Sequence, residues 1–229
     1  MGKLFDANAM FQYFPKILAH LNITLLIVSA SIILGAVLGI VLSIFRLYKV
    51  PVLNQLSIVY ISFVRGTPII VQMFIVFYGL PLVLNSFNID INRWDKLYFV
   101  IVTYALNSAA FLAEIFRASI GSVPIGQTEA AYSVGLNKIQ AFTRIVFPQA
   151  IITALPSLGT TLVGLLQDTS IAFTLGIIDV MGEVQAIAAN TRRTIEGYVD
   201  AAIIFVILAT IIEKLFSSVE RRLIIRKQS

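Results

Sequence analysis

The chain has 229 residues, 58% of them hydrophobic and 13% charged, with a mean hydropathy of +0.90 and a formal charge of +5. A soluble domain of this size cannot hide that much apolar surface, whereas each membrane-crossing helix needs about 20 apolar residues. Four or five spans would use most of the length, which excludes a separate soluble or nucleotide-binding domain, and the absence of cysteine excludes disulfides, thiol catalysis and cysteine-ligated metal.

The excess of lysine and arginine suits the cytoplasmic loops of a membrane protein better than a nucleic-acid surface. Residues 1–22 place Phe5, Phe11, Tyr13, Phe14 and Pro15 among polar groups, and read as an amphipathic lead-in at the membrane surface. His20 has no cysteine or second histidine to share a metal, so it reads as interfacial. No cleavable signal peptide is expected, because the first apolar run is too long for one. Met1-Gly2 opens like a myristoylation site, but Asp6 stands where Ser or Thr is required.

Ile23 to Phe45 runs without a charge and is expected to span the membrane as 23–45, closed by Arg46 and Lys49. That cationic end argues for the cytoplasmic side, with the amino terminus outside. A mixed stretch follows, interrupted by Arg65-Gly66-Thr67-Pro68; glycine and proline this close free backbone groups that a membrane tolerates only against protein or water. A second span is expected over 66–84, with Gln72 its main polar side chain. Asn85 to Lys96 reads as an outer loop with Trp94 as anchor. A third span over 97–117 carries Asn107, and Glu114 and Arg117 are spaced to pair on one helical face.

The segment 120–147 is the long polar stretch between apolar runs. Gly126 is expected to break the preceding helix, and Glu129-Ala130-Ala131 to open a short one, its carboxylate at the positive end of the dipole. Gly135 can end that helix in a left-handed conformation, Asn137 can cap the next, and Pro148 ends it or starts a span. On the second helix Ile139, Phe142, Ile145 and Val146 share a face, so the hairpin reads as a plug for a groove on a partner. An interfacial hairpin without a partner is the plainer alternative.

A fourth span is expected over 149–168, within an uncharged run softened by Pro148, Pro156, Gly159 and Gly164. It ends in Gln167-Asp168-Thr169-Ser170, and an acid at membrane depth is costly unless it faces a cavity or a partner. Residues 179–200 read as an outer loop or re-entrant segment. The last span is expected over 199–219, which admits Asp200, Glu213 and Lys214 near its ends, and the tail Arg221, Arg222, Arg226 and Lys227 should be cytoplasmic. In this topology only Lys3, Lys16, Arg93, Lys96, Arg192 and Arg193 fall outside, so most cations lie inside, and the carboxyl terminus is cytoplasmic.

Glu129-Ala130-Ala131 followed by Gly135, Phe142 and Pro148-Gln149 resembles the EAA loop of the permease subunits of ATP-binding-cassette importers. The stretch F-V-R-G-T-P-x3-Q at Phe63 to Gln72 is similar to the polar amino-acid branch of that family. Q-D-T-S at Gln167 to Ser170 resembles the family's K-D-T-S, with Gln167 in place of the lysine, so a charge role for that lysine does not carry over. The F-T-L-G-I-I-D-V-M-G run at Phe173 to Gly182 looks most like permeases for cystine or related sulfur amino acids; glutamine, arginine and histidine remain open.

The resemblance covers nearly the whole chain. It implies an all-α, type I importer fold of about five spans in a prokaryotic inner or plasma membrane. Its partners would be a second permease subunit, identical or homologous, an ATPase subunit, an external solute-binding protein and lipid, with no nucleic acid. Glu129, Ala130, Ala131, Gly135, Phe142 and Pro148 would couple to the ATPase. ATP and Mg would sit on that ATPase, with no cofactor on this chain and no hydrolysis by it. Gln72, Asn107, Asp168, Thr169 and Ser170 are the candidates for a substrate pocket near the midplane, since a zwitterion needs donors and an acceptor, and Asp168 could meet an ammonium group. Their plainer reading is contact between helices.

No Walker motif, dinucleotide fingerprint, HExxH or nucleophile elbow occurs, so catalysis by the chain itself is not expected. A gradient-driven secondary transporter and a non-transporting anchor are the rivals. The first would need its own ion site, and the second leaves Asp168 and the broken helices without a purpose.

Overall fold

The computed structural model describes residues 5–228, with side chains through residue 225; Met1-Gly2, Lys3 and the side chains of Arg226 and Lys227 lie outside the described residues. The elements are α1 (Ala7–Ala19), α2 (Leu21–Leu47), α3 (Leu53–Gly66), α4 (Ile69–Phe74), a π turn (Ile75–Gly79) and α5 (Leu80–Asn85). There follow α6 (Lys96–Gly121), α7 (Ile125–Ser133), α8 (Lys138–Ala141), a second π turn (Phe142–Val146), α9 (Phe147–Asp168), a 3-10 segment (Thr169–Leu175), α10 (Val180–Thr191) and α11 (Thr194–Gln228). The described residues hold no strand.

Among the described residues four helical runs are long and apolar enough to cross a membrane: Leu21–Leu47, Lys96–Gly121, Lys138–Leu175 and Thr194–Ile225. Up to five crossings result if Leu53–Gly66 and Ile69–Asn85, which meet at 115°, count as one broken span. The sequence places the start of that span at Gly66. Instead Gly66 closes α3 and Pro68 begins the new direction, because proline pushes Thr67 into extended backbone (φ −121°, ψ 145°).

The core lies where α2, α4, α6 and α9 meet, around Ile27, Met73, Val100, Tyr104 and Leu166. A buried stripe of mostly small residues on α2, from Thr24 through Ser31, Gly35 and Gly39 to Ser43, carries the closest approach to α6. Its other face exposes Ile33, Val37, Ile40 and Val41, as lipid contact requires. A second cluster joins Ile17 of α1 to Val180 and Val184 of α10 and Ala201 and Ile204 of α11. Asp179 is buried at the N-cap of α10 and accepts the Gly182 N–H at 2.9 Å; Thr24 of α2 donates to its other oxygen at 3.5 Å.

Three further expectations are corrected. Gly126 does not break a helix; the break falls at Pro124, and Gly126 lies in the first turn of α7. Glu129 is consequently one turn deeper than a dipole-complementing first-turn acid. Residues 179–200 are mostly helical, as α10 and the start of α11. The last helix begins at Thr194 and runs 35 residues, so Asp200 lies inside it.

Outside the spanning segments, Asp6 caps α1 by accepting from Asn8 N–H at 3.0 Å and pairs with Arg193 at 2.5 Å, and that arginine holds its carboxyl below the usual aspartate range. Its own N–H donates to Glu196 of α11 at 3.0 Å. Asp200, one turn beyond Glu196, is fully buried with neither carboxylate oxygen hydrogen-bonded. Burying an unpaired charge costs more than burying an unpaired neutral amide. Asp200→Asn, nearly isosteric and uncharged, is therefore expected to raise the unfolding temperature in detergent by a few degrees; a lowered one would mean that the carboxylate has a partner after all.

Candidate functional site

Two regions gather the polar groups of an otherwise apolar chain. The first is a cavity of about 450 Å³ between α6 and α9, lined by Asn107, Ser108 and Phe111 on one side and by Pro156, Ser157, Thr160, Thr161, Gly164 and Asp168 on the other. Helical spacing explains the lining: 107, 108 and 111 share a face of α6, and 157, 160, 161, 164 and 168 share one of α9. Gly164 leaves open space where a Cβ would stand, one turn before Asp168. The Asp168 carboxylate makes no hydrogen bond among the described residues, while its backbone carbonyl accepts the Tyr104 hydroxyl at 2.7 Å. Tyr104, fully buried in the core, thus fixes the end of α9 and leaves the carboxylate free in the cavity.

Asn107 and Gln72 meet directly, the Asn107 amide donating to Gln72 Oε1 at 3.0 Å. The Gln72 amide donates in turn to Val64 O at 2.7 Å and to Thr67 O and Oγ1, each at 3.0 Å. The two carbonyls are backbone acceptors released by the bend at Gly66–Pro68, and the Thr67 hydroxyl lies beside them. Gln72 therefore braces the broken span and holds Asn107 in place rather than facing the cavity. Thr169 is fully buried and bonds back to Leu166 O at 2.7 Å, and Ser170 lies just beyond the cavity lining. Of the five proposed pocket residues the structure brings Asn107 and Asp168 to one cavity, Gln72 behind them, and leaves Thr169 and Ser170 outside.

The second region is the 120–147 segment. α7 ends in a left-handed corner at Gly135 (φ +80°), where Gly135 N–H donates to Tyr132 O at 2.9 Å and Leu136 N–H to Ala131 O at 3.1 Å. Asn137 caps α8 in a reciprocal box, its side chain accepting from Gln140 N–H and the Gln140 side chain from Asn137 N–H, each at 3.0 Å. Helix then continues through the π turn into α9, with Pro148 tolerated in the first turn.

Ala131 and Ala141 are buried inside this hairpin, while Glu129, Ala130, Gly135, Phe142 and Pro148 are exposed. Ile125, Val134 and Ile139 are more than 70% exposed, an apolar surface with nothing on it in the isolated chain. The expected shared face is split: Ile139 and Phe142 point outward, and Val146 is buried.

A third group was legible only in part. Glu114 pairs with Arg117, as its spacing predicts, and also with Arg46 of α2 at 2.5 Å. The second partner is 68 residues away and leaves no local signal.

Residues 11–227 match the family described as binding-protein-dependent transport system inner membrane component. The L-cystine transport system permease protein TcyL of Bacillus subtilis (strain 168) is 45% identical over 223 residues, 97% of this chain and 93% of that protein. The probable amino-acid permease protein YxeN of the same organism is 40% identical over 94% of this chain and 95% of its own length. Among solved structures, an amino acid ABC transporter crystallised with histidines superposes with a TM-score of 0.83 at 30% identity, covering 95% of this chain and 99% of that one.

Proposed function

The chain belongs to the family of inner membrane components of binding-protein-dependent transport systems, and from that premise we propose that it imports a polar amino acid, with cystine or a related sulfur amino acid the leading candidate. It is a multi-pass permease subunit of an ABC importer in a prokaryotic plasma membrane, a transport component and not an enzyme. Membership also sets aside the gradient-driven alternative.

In the finer reading two permease subunits, identical or homologous, enclose the pathway. The amino terminus lies outside and the carboxyl terminus inside. A solute-binding protein delivers the amino acid from outside, and an ATPase carrying ATP and Mg docks on the exposed surface around Glu129, Ala130, Gly135, Phe142 and Pro148. Ala131, buried in the hairpin, sets the shape of that surface rather than touching the partner.

The observation that carries the substrate reading is the unpartnered Asp168 carboxylate facing the cavity it shares with Asn107. A carboxylate at membrane depth without a partner of opposite charge is an expensive arrangement that a substrate ammonium group would satisfy. The name of the 45% identical relative supports the sulfur amino-acid class. Gln72 takes a positioning role behind Asn107, and Thr169 and Ser170 help to shape the end of α9.

Asp168→Asn tests this reading. Uptake in the assembled transporter is expected to fall at least tenfold, or to change its amino-acid preference, with complex formation unaltered. Uptake at the wild-type rate and preference would remove Asp168 from the pocket.

A further inference from the structure

A second cavity of about 450 Å³ opens between α3 and the last turns of α2 and α6, with Arg46, Ser62, Arg65 and Glu114 in its lining. α2 and α6 run in the same direction, since Gly35 meets Ala105 and Ser108 while Gly39 meets Ala109 and Leu112. Their carboxyl-terminal ends therefore lie on one side of the membrane. Arg46 is the penultimate residue of α2, and Glu114 precedes the last residue of α6, Gly121, by seven positions. At about 1.5 Å per residue, the cavity sits within roughly 10 Å of the end of α6.

Its charges do not balance. Glu114 is committed, with Arg46 on one oxygen and the Arg117 Nε and Nη2 atoms spread over both. Arg65 is a third guanidinium with no ion pair and no hydrogen bond among the described residues; it lies over the Phe111 ring, 5.6 Å from the centroid. A cation–π contact of this kind holds the group in place without using its five donors. A cation near a membrane surface is costly unless water or a partner of opposite charge reaches it.

α3 itself is dressed for lipid. Ile61 and Val64 are buried with Ala110 and Ala113 of α6. Leu56, Val59 and Phe63, at helical spacing, are each more than half exposed, and they form an apolar stripe suited to acyl chains. The cavity is thus a cationic recess at one end of the spans, on the flank of a helix that offers its outer face to lipid.

We infer that this recess binds the phosphate of an anionic phospholipid, with Arg65 as its principal ligand and Arg46 beside it. A guanidinium fork takes two phosphate oxygens through parallel hydrogen bonds, whereas lysine acts only as a point charge. Three guanidinium groups against one carboxylate leave positive charge over, and basic recesses of this kind between spans select anionic headgroups. A zwitterionic lipid offers the same phosphate but brings its own cation with it.

The experiment uses the assembled transporter, stripped of lipid in mild detergent and incubated with equal amounts of dioleoylphosphatidylglycerol or dioleoylphosphatidylcholine. Bound lipid is counted by native mass spectrometry. Detergent solution has no leaflets and no substrate is present, so neither the orientation nor the amino-acid reading enters the result. Wild type is expected to retain the phosphatidylglycerol at least tenfold better. Arg65→Gln should lower its retention about tenfold and leave the phosphatidylcholine unchanged, and Arg65→Lys should restore only part of the preference. Arg93→Gln, which removes a cation just before the opposite end of α6, should behave as wild type.

A preference retained in Arg65→Gln, or lost equally in Arg93→Gln, overturns the site. Displacement of the lipid by millimolar sn-glycerol 3-phosphate would make the recess a site for a soluble anion and overturn it as well. The chain has no cysteine of its own, so Ser62→Cys gives a clean test of what covers the recess. A disulfide between two copies carrying it would put a second permease subunit there instead of lipid. Arg65 is exposed, so its variants should assemble, and size-exclusion chromatography checks that they do.

Discussion

Gly35→Leu is expected to leave the protein unable to fold, with loss of the monodisperse species in detergent and degradation in the membrane. A Cβ on Gly35 would stand 2.8 Å from Ser108 Cβ and 3.0 Å from Ala105 O, and one on Gly39 3.0 Å from Leu112 Cβ and 3.1 Å from Ala109 O. These atoms belong to α6, the element that also carries Asn107, Phe111 and Glu114. In a membrane no hydrophobic force drives α2 against α6, because lipid tails are as apolar as the side chains; close backbone approach and interhelical hydrogen bonds must do so. Ser31, one turn earlier, donates to Ile101 O at 3.2 Å, and the Arg46–Glu114 pair closes the inner end.

A single added methylene in a packed core already costs about 1–3 kcal/mol. Gly35→Ala should therefore lower the melting temperature measurably, and the four carbons of leucine should exceed what the helix pair can absorb. Gly121→Ala is the control, since nothing stands within 4 Å of a Cβ there. Should Gly35→Leu purify with an unchanged melting temperature, the close approach of α2 to α6 would be refuted, and with it the placement of the α6 site residues.

How far this architecture was legible follows from how far its signals were local. The uncharged run over 23–45 announces α2, because composition alone decides whether a segment can cross a lipid core. The Gly135 corner and the Asn137 cap were equally readable, since each is a short-range backbone requirement met by one residue type. The bend at Gly66–Pro68 was only half legible: the sequence marks a break there, but the 115° angle depends on Gln72 reaching back for the freed carbonyls. That same long-range bond moves Gln72 from the pocket to the frame. Likewise Asp168 and Asn107 could be named singly, but that they share one cavity depends on how α6 and α9 pack, 61 residues apart in sequence between these two side chains. The Arg46–Glu114 pair and the unpaired state of Arg65 are tertiary facts of the same kind.

Gly135→Val is expected to uncouple the permease from its ATPase, with amino-acid uptake and co-purification of the ATPase each falling at least tenfold, while the permease itself keeps its melting temperature. Gly135 has φ +80°, where a β-branched side chain costs roughly 1–2 kcal/mol. The strain falls on an exposed corner outside the packed core, so it need not unfold anything. Its effect is to turn α7 relative to α8. That relation decides whether Val134 and Ile139, 77% and 75% exposed, present one continuous surface with Phe142.

A groove that accepts this surface accepts it as a unit, so a misdirected corner loses several contacts at once. Gly135→Asn separates this account from a mere intolerance of side chains, because asparagine adopts the left-handed conformation readily. It should retain most coupling where valine loses it. Reversal of charge by Glu129→Lys, one and a half turns earlier on the exposed side of α7, should weaken association without disturbing the corner. If the valine variant couples normally, the surface is not presented by the corner; if asparagine fails as valine does, the partner packs directly against the bare glycine.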